Sequence, residues 1–208
     1  VRLSDPQVSP DGRTLAWGGN TSSAASQNLA LWVRRLEDTS AEIVRNVDDV
    51  RRAVFMSDNK TLLCMNQQHL FTIDIDTGRR TVLWTEQGPA VWSAVGAFDI
   101  SPSDRVVVSK KGEIALLENG GLRVVATPAT GERALIGPRW MPDGKRLLVS
   151  ARMTDNSLAV FVMPVDGSTR QPIPLPQDIT APMVAPDGTV LYGQNGILWG
   201  QRLDAATL

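Results

Sequence analysis

The chain has 208 residues, of which 42% are hydrophobic and 21% charged, and its formal net charge is −1. This composition is that of a globular protein with a packed core, and it excludes an intrinsically disordered chain. The near-neutral charge excludes the strongly basic surface typical of nucleic-acid-binding proteins, and no apolar run is long enough to cross a bilayer. We therefore expect neither nucleic-acid binding nor membrane insertion.

A nine-residue pattern recurs along the chain. It reads "SPDGRTLAW" from Ser9, "MPDGKRLLV" from Met141 and "APDGTVLYG" from Ala185, with degenerate copies "MSDNKTLLC" and "SPSDRVVVS". The five copies are anchored, at spacings of 47, 45, 40 and 44 residues, on Pro10, Ser57, Pro102, Pro142 and Pro186. Each copy predicts a strand, a tight turn and a second strand, with Gly, or Asn59 and Asp104 in the degenerate copies, at the left-handed turn position.

Apolar residues alternate on both sides of each turn, which is typical of strands with a buried face. The aligned positions before the turn are Val8, Phe55, Ile100, Trp140 and Val184, and those after it are Leu15, Leu62, Val107, Leu147 and Leu191. Third strands follow, four of them with an aligned aromatic residue, namely Trp32, Phe71, Phe161 and Trp199, and the fourth strands read "AEIVRNV", "RRTVLW", "LRVVAT" and "RQPIPL". Four strands in about 40 to 45 residues is the signature of a propeller blade.

The repeat predicts an all-β fold, a β-propeller of about five four-stranded blades with the last one incomplete. The approximate blades, within a single propeller segment that spans 1–208, are 1–46, 47–93, 94–133, 134–178 and 179–208. A β-sandwich with coincidental turns is the alternative. We expect the chain to belong to a longer one that supplies further blades or domains, because it begins at Val1 and stops before a fourth strand of the last unit.

Few side chains in the sequence suggest catalysis or metal binding. No G-x-S-x-G motif occurs, the one histidine is His69, and the one cysteine, Cys64, follows apolar neighbours and is predicted to be buried. The segment "DIDTG" (Asp74 to Gly78) faintly resembles a calcium loop, but its equivalents in other repeats predict a turn. We therefore expect no catalysis, no cofactor and no metal site in this segment.

The connections between second and third strands, together with the links between blades, form the predicted interaction face, because binding residues concentrate on loops of rigid scaffolds. The longest are Gly18 to Asn28, Arg152 to Ser157 and Thr85 to Ala94. The candidate contact residues are Trp92, Arg152, Asp155, Asn156, Asn20 and Gln27. The alternatives are that Trp92 packs under its own loop and that the polar residues are simply solvated.

The hairpin pattern resembles the "xSPDGxxLxF" repeats of bacterial TolB-type propellers, WD-like repeats whose terminal aromatic is kept here only at Trp17. The opening "RLSDPQVSPDGRTLAW" also resembles the propeller of the prolyl oligopeptidase family, and a third resemblance is to extracytoplasmic propellers of bacterial sensor kinases or regulators. These resemblances imply a non-catalytic module for protein–protein interaction or ligand sensing, in a periplasmic or other extracytoplasmic location, with a cytoplasmic location left open. The alternative is the substrate-gating propeller of a prolyl-oligopeptidase-type serine peptidase, and a third possibility is an enzyme acting within the propeller itself.

Overall fold

The structure is a computed structural model that describes residues 6–20, 29–47, 49–87, 98–176 and 178–203. In these ranges all regular secondary structure is β-strand, and no helix occurs that could cross a membrane. The described residues form nineteen strands in five antiparallel sheets, four with four strands and the last with three. The fold is the predicted all-β propeller.

The chain divides into two compact units, and the first, Val1–Val91, contains two sheets. Sheet one consists of β1 (Gln7–Val8), β2 (Thr14–Asn20), β3 (Leu29–Arg35) and β4 (Glu42–Ile43). Sheet two consists of β5 (Arg52–Phe55), β6 (Thr61–Met65), β7 (His69–Asp74) and β8 (Arg80–Thr85). In each sheet the strands pair in chain order, as expected of hairpin-connected blades.

The second unit, Trp92–Leu208, contains the other three sheets. Sheet three consists of β9 (Phe98–Ile100), β10 (Val106–Lys110), β11 (Glu113–Glu118) and β12 (Gly121–Ala126). Sheet four consists of β13 (Glu132–Trp140), β14 (Arg146–Met153), β15 (Leu158–Pro164) and β16 (Gln171–Ile173). Sheet five consists of β17 (Thr180–Val184), β18 (Val190–Gln194) and β19 (Ile197–Gln201).

The repeated motif forms the turn between the first and second strands of every sheet. In each turn the fourth residue donates its backbone N–H to the carbonyl of the first, for example Gly144 to Met141 at 2.9 Å. That fourth residue has a positive φ in all five turns, 62° at Gly144 and 65° and 60° at Asn59 and Asp104. Asn and Asp therefore replace glycine where the sequence predicts it, since both tolerate this region better than most residues.

Neighbouring sheets pack face to face through alternate apolar side chains. Sheets one and two share a buried cluster that includes Leu31, Leu62 and Phe71. Sheets three and four share another, which contains Leu116 and the predicted core residue Trp140, only 5% exposed. Sheets four and five share a third. Sheet four, in the middle of the second unit, is therefore apolar on both faces.

The first strand departs from the predicted pattern. Val8 aligns with the buried Phe55 and Trp140, yet its side chain is 58% exposed. Sheet two packs on the opposite face of sheet one, the face that carries Ala16 and Leu31. Because no described residue of the first unit covers the other face, the apolar position of Val8 stays exposed there.

Replacing Trp140 with alanine tests the packing between sheets. Trp140→Ala is expected to lower the free energy of unfolding by about 3 to 5 kcal/mol, because truncating a buried aromatic side chain leaves a cavity. Trp199, 47% exposed, is the matched control, and Trp199→Ala is expected to cost less than about 1 kcal/mol. Denaturant titrations measure both. A loss below about 1 kcal/mol for Trp140→Ala would contradict its burial.

Candidate functional site

The two ends of each sheet differ in their connections. We call the end with the turns between first and second strands the turn end, and the end with the connections between second and third strands the loop end. Neighbouring turns touch in both units: Asp11 donates its N–H to Asn59 Oδ1 at 2.9 Å, and Arg105 Nη1 donates to the Gly144 carbonyl at 3.5 Å. These contacts place the turns of sheets one and two side by side, and likewise those of sheets three and four.

Side chains at the turn end stabilise the turns themselves. The Asp of four turns accepts a hydrogen bond from the backbone N–H two residues later, at 2.8 to 3.1 Å, and these residues are Asp11, Asp58, Asp143 and Asp187. At Asp187 the bond from the Thr189 N–H lowers the pKa of the carboxyl. These carboxylates are acceptors that the backbone already uses.

The loop end of sheet four contains three of the candidate contact residues. Arg152 lies in β14, where it pairs with Ala134 and Leu158, and its half-buried side chain has no hydrogen bond or ion pair within the described chain. Asp155 Oδ1 accepts bonds from the Ser157 N–H at 2.9 Å and hydroxyl at 2.6 Å, and the hydroxyl bond is the main reason that the pKa of Asp155 is lowered.

Asn156 completes the same turn. It has a φ of 68°, so its backbone requires a residue that tolerates the left-handed region. Its side-chain oxygen accepts a hydrogen bond from Arg133 Nη1 at 3.4 Å. Asp155 and Asn156 thus stabilise the turn itself. Of the three candidate residues, only Arg152 has no such structural role.

The other candidates lie at or beyond the edges of the described ranges. Trp92 and Gln27 fall outside the described residues. Asn20 is the last residue of β2, and its side chain also falls outside them. The prediction that a loop begins at Gly18 is wrong. The strand β2 continues through Asn20, so the first three residues of the predicted loop belong to that strand. Likewise β14 extends to Met153, so the connection to β15 is only Thr154 to Ser157.

Two basic residues that the sequence analysis did not single out lie beside Arg152. The β10–β11 turn packs onto the start of β13, where the Leu135 N–H donates to the Gly112 carbonyl at 2.7 Å. A Cβ on Gly112 would lie 3.1 Å from Ala134 Cβ, so the approach is close. Lys111 precedes that glycine and Arg133 precedes Ala134. The signal available in the sequence was "SKKGE", a basic turn in place of the longer connections of other repeats.

These three residues, Lys111, Arg133 and Arg152, form what we call the basic triad. In the described part of the chain no carboxylate makes an ion pair with any of them. The neighbouring Glu132 accepts from Arg170 Nη1 at 2.7 Å and from the Ala129 N–H at 2.7 Å. Its charge is therefore already compensated.

Reactive groups are few in the described residues. Cys64 is a free, fully buried thiol, and burial raises its pKa, which confirms the predicted core position. His69 begins β7, and its Nδ1 is buried without a hydrogen-bond partner in the described ranges. The segment from Asp74 is a turn, as predicted, because Asp74 Oδ1 accepts from the Thr77 N–H and hydroxyl, both at 2.8 Å. Across the described ranges no group of three His, Cys, Asp or Glu residues could hold a metal ion.

The sequence matches no family model and no curated protein. Solved structures with the same fold include TolB from Acinetobacter baumannii, at a TM-score of 0.69 and 14% identity over 91% of this chain and 48% of that one. Putative TolB from Agrobacterium tumefaciens has a TM-score of 0.70 and 18% identity over 92% of this chain and 69% of that one. The β-propeller domain of the Trilobed protease from Pyrococcus furiosus has a TM-score of 0.65 and 16% identity over 98% of this chain and 67% of that one. The chain thus spans about half the length of the first TolB structure.

The buried thiol allows a chemical test of the core. A thiol-specific reagent is expected to modify Cys64 only as fast as the surrounding sheets open, because only the exposed thiolate reacts. The native protein should therefore stay unmodified while the denatured protein reacts at once, as followed by absorbance. Reaction of the native protein at the rate of a small free thiol would contradict the burial of Cys64 in sheet two.

Proposed function

We propose that this chain is a non-catalytic β-propeller module that binds another protein or senses a ligand, and that it makes its contacts at the loop end of its sheets. One observation carries the proposal. The Asp side chains at the turn end are used by the turns, whereas the loop end of sheets three and four presents Arg152 and Lys111 without a structural partner in the described chain. Polar groups that a fold does not need are candidates for recognition.

The similarity to TolB structures supports the fold on which this proposal is built. A propeller holds its loops on rigid, stacked sheets, which reduces the entropy lost when the loops bind a partner. Function on such a fold depends on the side chains at particular sites. We therefore assign the proposed binding activity to the loop end and not to the sheet framework. The same similarity supports our proposal of a location outside the cytoplasm. We further propose that the partner is a protein and not a nucleic acid.

The absence of catalysis is also part of the proposal. Its support is the buried position of Cys64, together with a sequence that has one histidine and no G-x-S-x-G motif. A substrate-gating propeller of a prolyl-oligopeptidase-type serine peptidase is the second candidate, and the likeness to the propeller domain of the Trilobed protease favours it. The encoding gene distinguishes the two, because a G-x-S-x-G domain in the same reading frame supports the second candidate alone.

A capture experiment tests which end binds. The immobilised protein, incubated with extract of the source organism, is compared with Trp92→Ala, Arg152→Ala and Asp143→Ala. Trp92→Ala is expected to reduce capture most, by about 2 kcal/mol or more in binding free energy, as buried aromatic anchors at interfaces do. Arg152→Ala should weaken capture less, and Asp143→Ala at the turn end should leave it unchanged.

Circular dichroism and denaturant titration establish that each variant is folded before capture is compared. Binding that survives the changes at Trp92 and Arg152 but is lost with a folded Asp143→Ala would put the site at the turn end. That result would contradict the proposed function.

A further inference from the structure

The backbone around the basic triad is fixed by hydrogen bonds between neighbouring connections. The Leu135 N–H donates to the Gly112 carbonyl at 2.7 Å, and the Thr154 N–H donates to the Gly131 carbonyl at 3.0 Å. These two bonds tie the β10–β11 turn and the β14–β15 turn to the start of β13. The backbone from which the three side chains of the triad extend is therefore held by these hydrogen bonds, and we call it the frame.

The frame also places the three residues on neighbouring parts of the backbone. Arg152 is the register partner of Ala134, on strands that lie about 4.8 Å apart. Arg133 is the preceding residue of the same strand, and Lys111 is next to Gly112, which closely approaches Ala134. Lys111 and Arg133 are exposed and Arg152 is half-buried. The backbone positions of three cationic residues thus adjoin one alanine, Ala134.

The local charges favour an anionic partner. Glu132 is bound by Arg170, and the Asp155 carboxylate accepts both hydrogen bonds that Ser157 offers. Glu113 is the remaining acid next to the β10–β11 turn, and within the described residues it forms no ion pair. Like charges held close together repel each other, so a bound carboxylate would relieve the repulsion within the triad.

We infer that the basic triad is a recognition site for an acidic polypeptide segment, whose carboxylates pair with Arg133, Arg152 and Lys111. This inference rests on the proposed function and gives its partner a chemical class. Two of the three groups are guanidinium groups, which bind carboxylates through paired hydrogen bonds. Lys111 adds a flexible point charge that accommodates a second or third carboxylate of the same segment.

The distribution of charge favours a protein partner over a nucleic acid. Nucleic-acid binding sites neutralise many phosphates along an extended basic surface. Here the proposed site consists of three cationic residues, Glu113 and Asp155 lie at the same two connections, and the whole chain has a net charge of −1. A short acidic segment matches a site of this size, whereas an extended polyphosphate chain would also meet Glu113 and Asp155.

The test uses a fluorescein-labelled peptide of alternating Glu and Ser, and fluorescence anisotropy measures its dissociation constant. The variant Lys111→Gln, Arg133→Gln, Arg152→Gln is compared with the native chain. Each exposed ion pair changes an affinity by up to about fivefold, so the loss of three is expected to weaken binding by about tenfold or more. A peptide of Gln and Ser serves as the uncharged probe and should not bind.

The matched control removes the same charge elsewhere. Lys60, Lys145 and Arg202 are exposed basic residues outside the loop end of sheets three and four. The variant Lys60→Gln, Lys145→Gln, Arg202→Gln has the same net charge as the triad variant and is expected to weaken binding by less than about twofold. Equal losses in the two variants would show general charge attraction and would overturn the inference, provided that both are folded by circular dichroism.

Two further outcomes separate this inference from the proposed function. A single-stranded oligonucleotide that binds more tightly than the acidic peptide would overturn the inference that the partner is a protein. Capture of the same partner from extract by the native chain and by the triad variant would also overturn the inference, while the proposed function would stand. Loss of capture with the triad variant but not with the control variant supports both.

Discussion

Face-to-face packing of consecutive sheets is the interaction on which the rest of this structure depends. A sheet inside a unit is apolar on both faces, as sheet four shows with Trp140 toward sheet three and Leu148 toward sheet five. Such a sheet is stable only between neighbours, because each face would otherwise expose its apolar side chains. The requirement explains why the same pattern recurs at intervals of 40 to 47 residues. Each repeat supplies one sheet to the stack of its own unit.

The turn end and the loop end of the sheets differ in what their side chains do. At the turn end the chain reverses within four residues, and Asp carboxylates and left-handed Gly, Asn or Asp residues are needed to make that turn. At the loop end of sheets three and four, backbone hydrogen bonds between connections hold the main chain, as between Leu135 and Gly112. Side chains such as Lys111 and Arg152 are thereby left available. The proposed recognition by this end is based on this difference between the two ends.

The repeat could be predicted from the sequence because each of its determinants is local. Turn residues, alternation and the fourth strands all lie within about 45 residues, and the structure has them where expected. Val8 could not be placed correctly, since its exposure depends on which face sheet two covers. The basic triad could not be found either, because it depends on a contact between two sheets and on irregular pairing of β13 between Glu132 and Ala134. Neither feature leaves a periodic pattern.

We propose that recognition takes place at the loop end of sheets three and four. Hydrogen–deuterium exchange of the native chain, with and without the peptide of alternating Glu and Ser, is a direct test of this location. The peptide is expected to slow amide exchange in residues 110–113 and 152–157 and to leave exchange in the turn at 141–145 unchanged. Protection confined to that turn, or no protection in the two loop-end segments at a saturating peptide concentration, would contradict it.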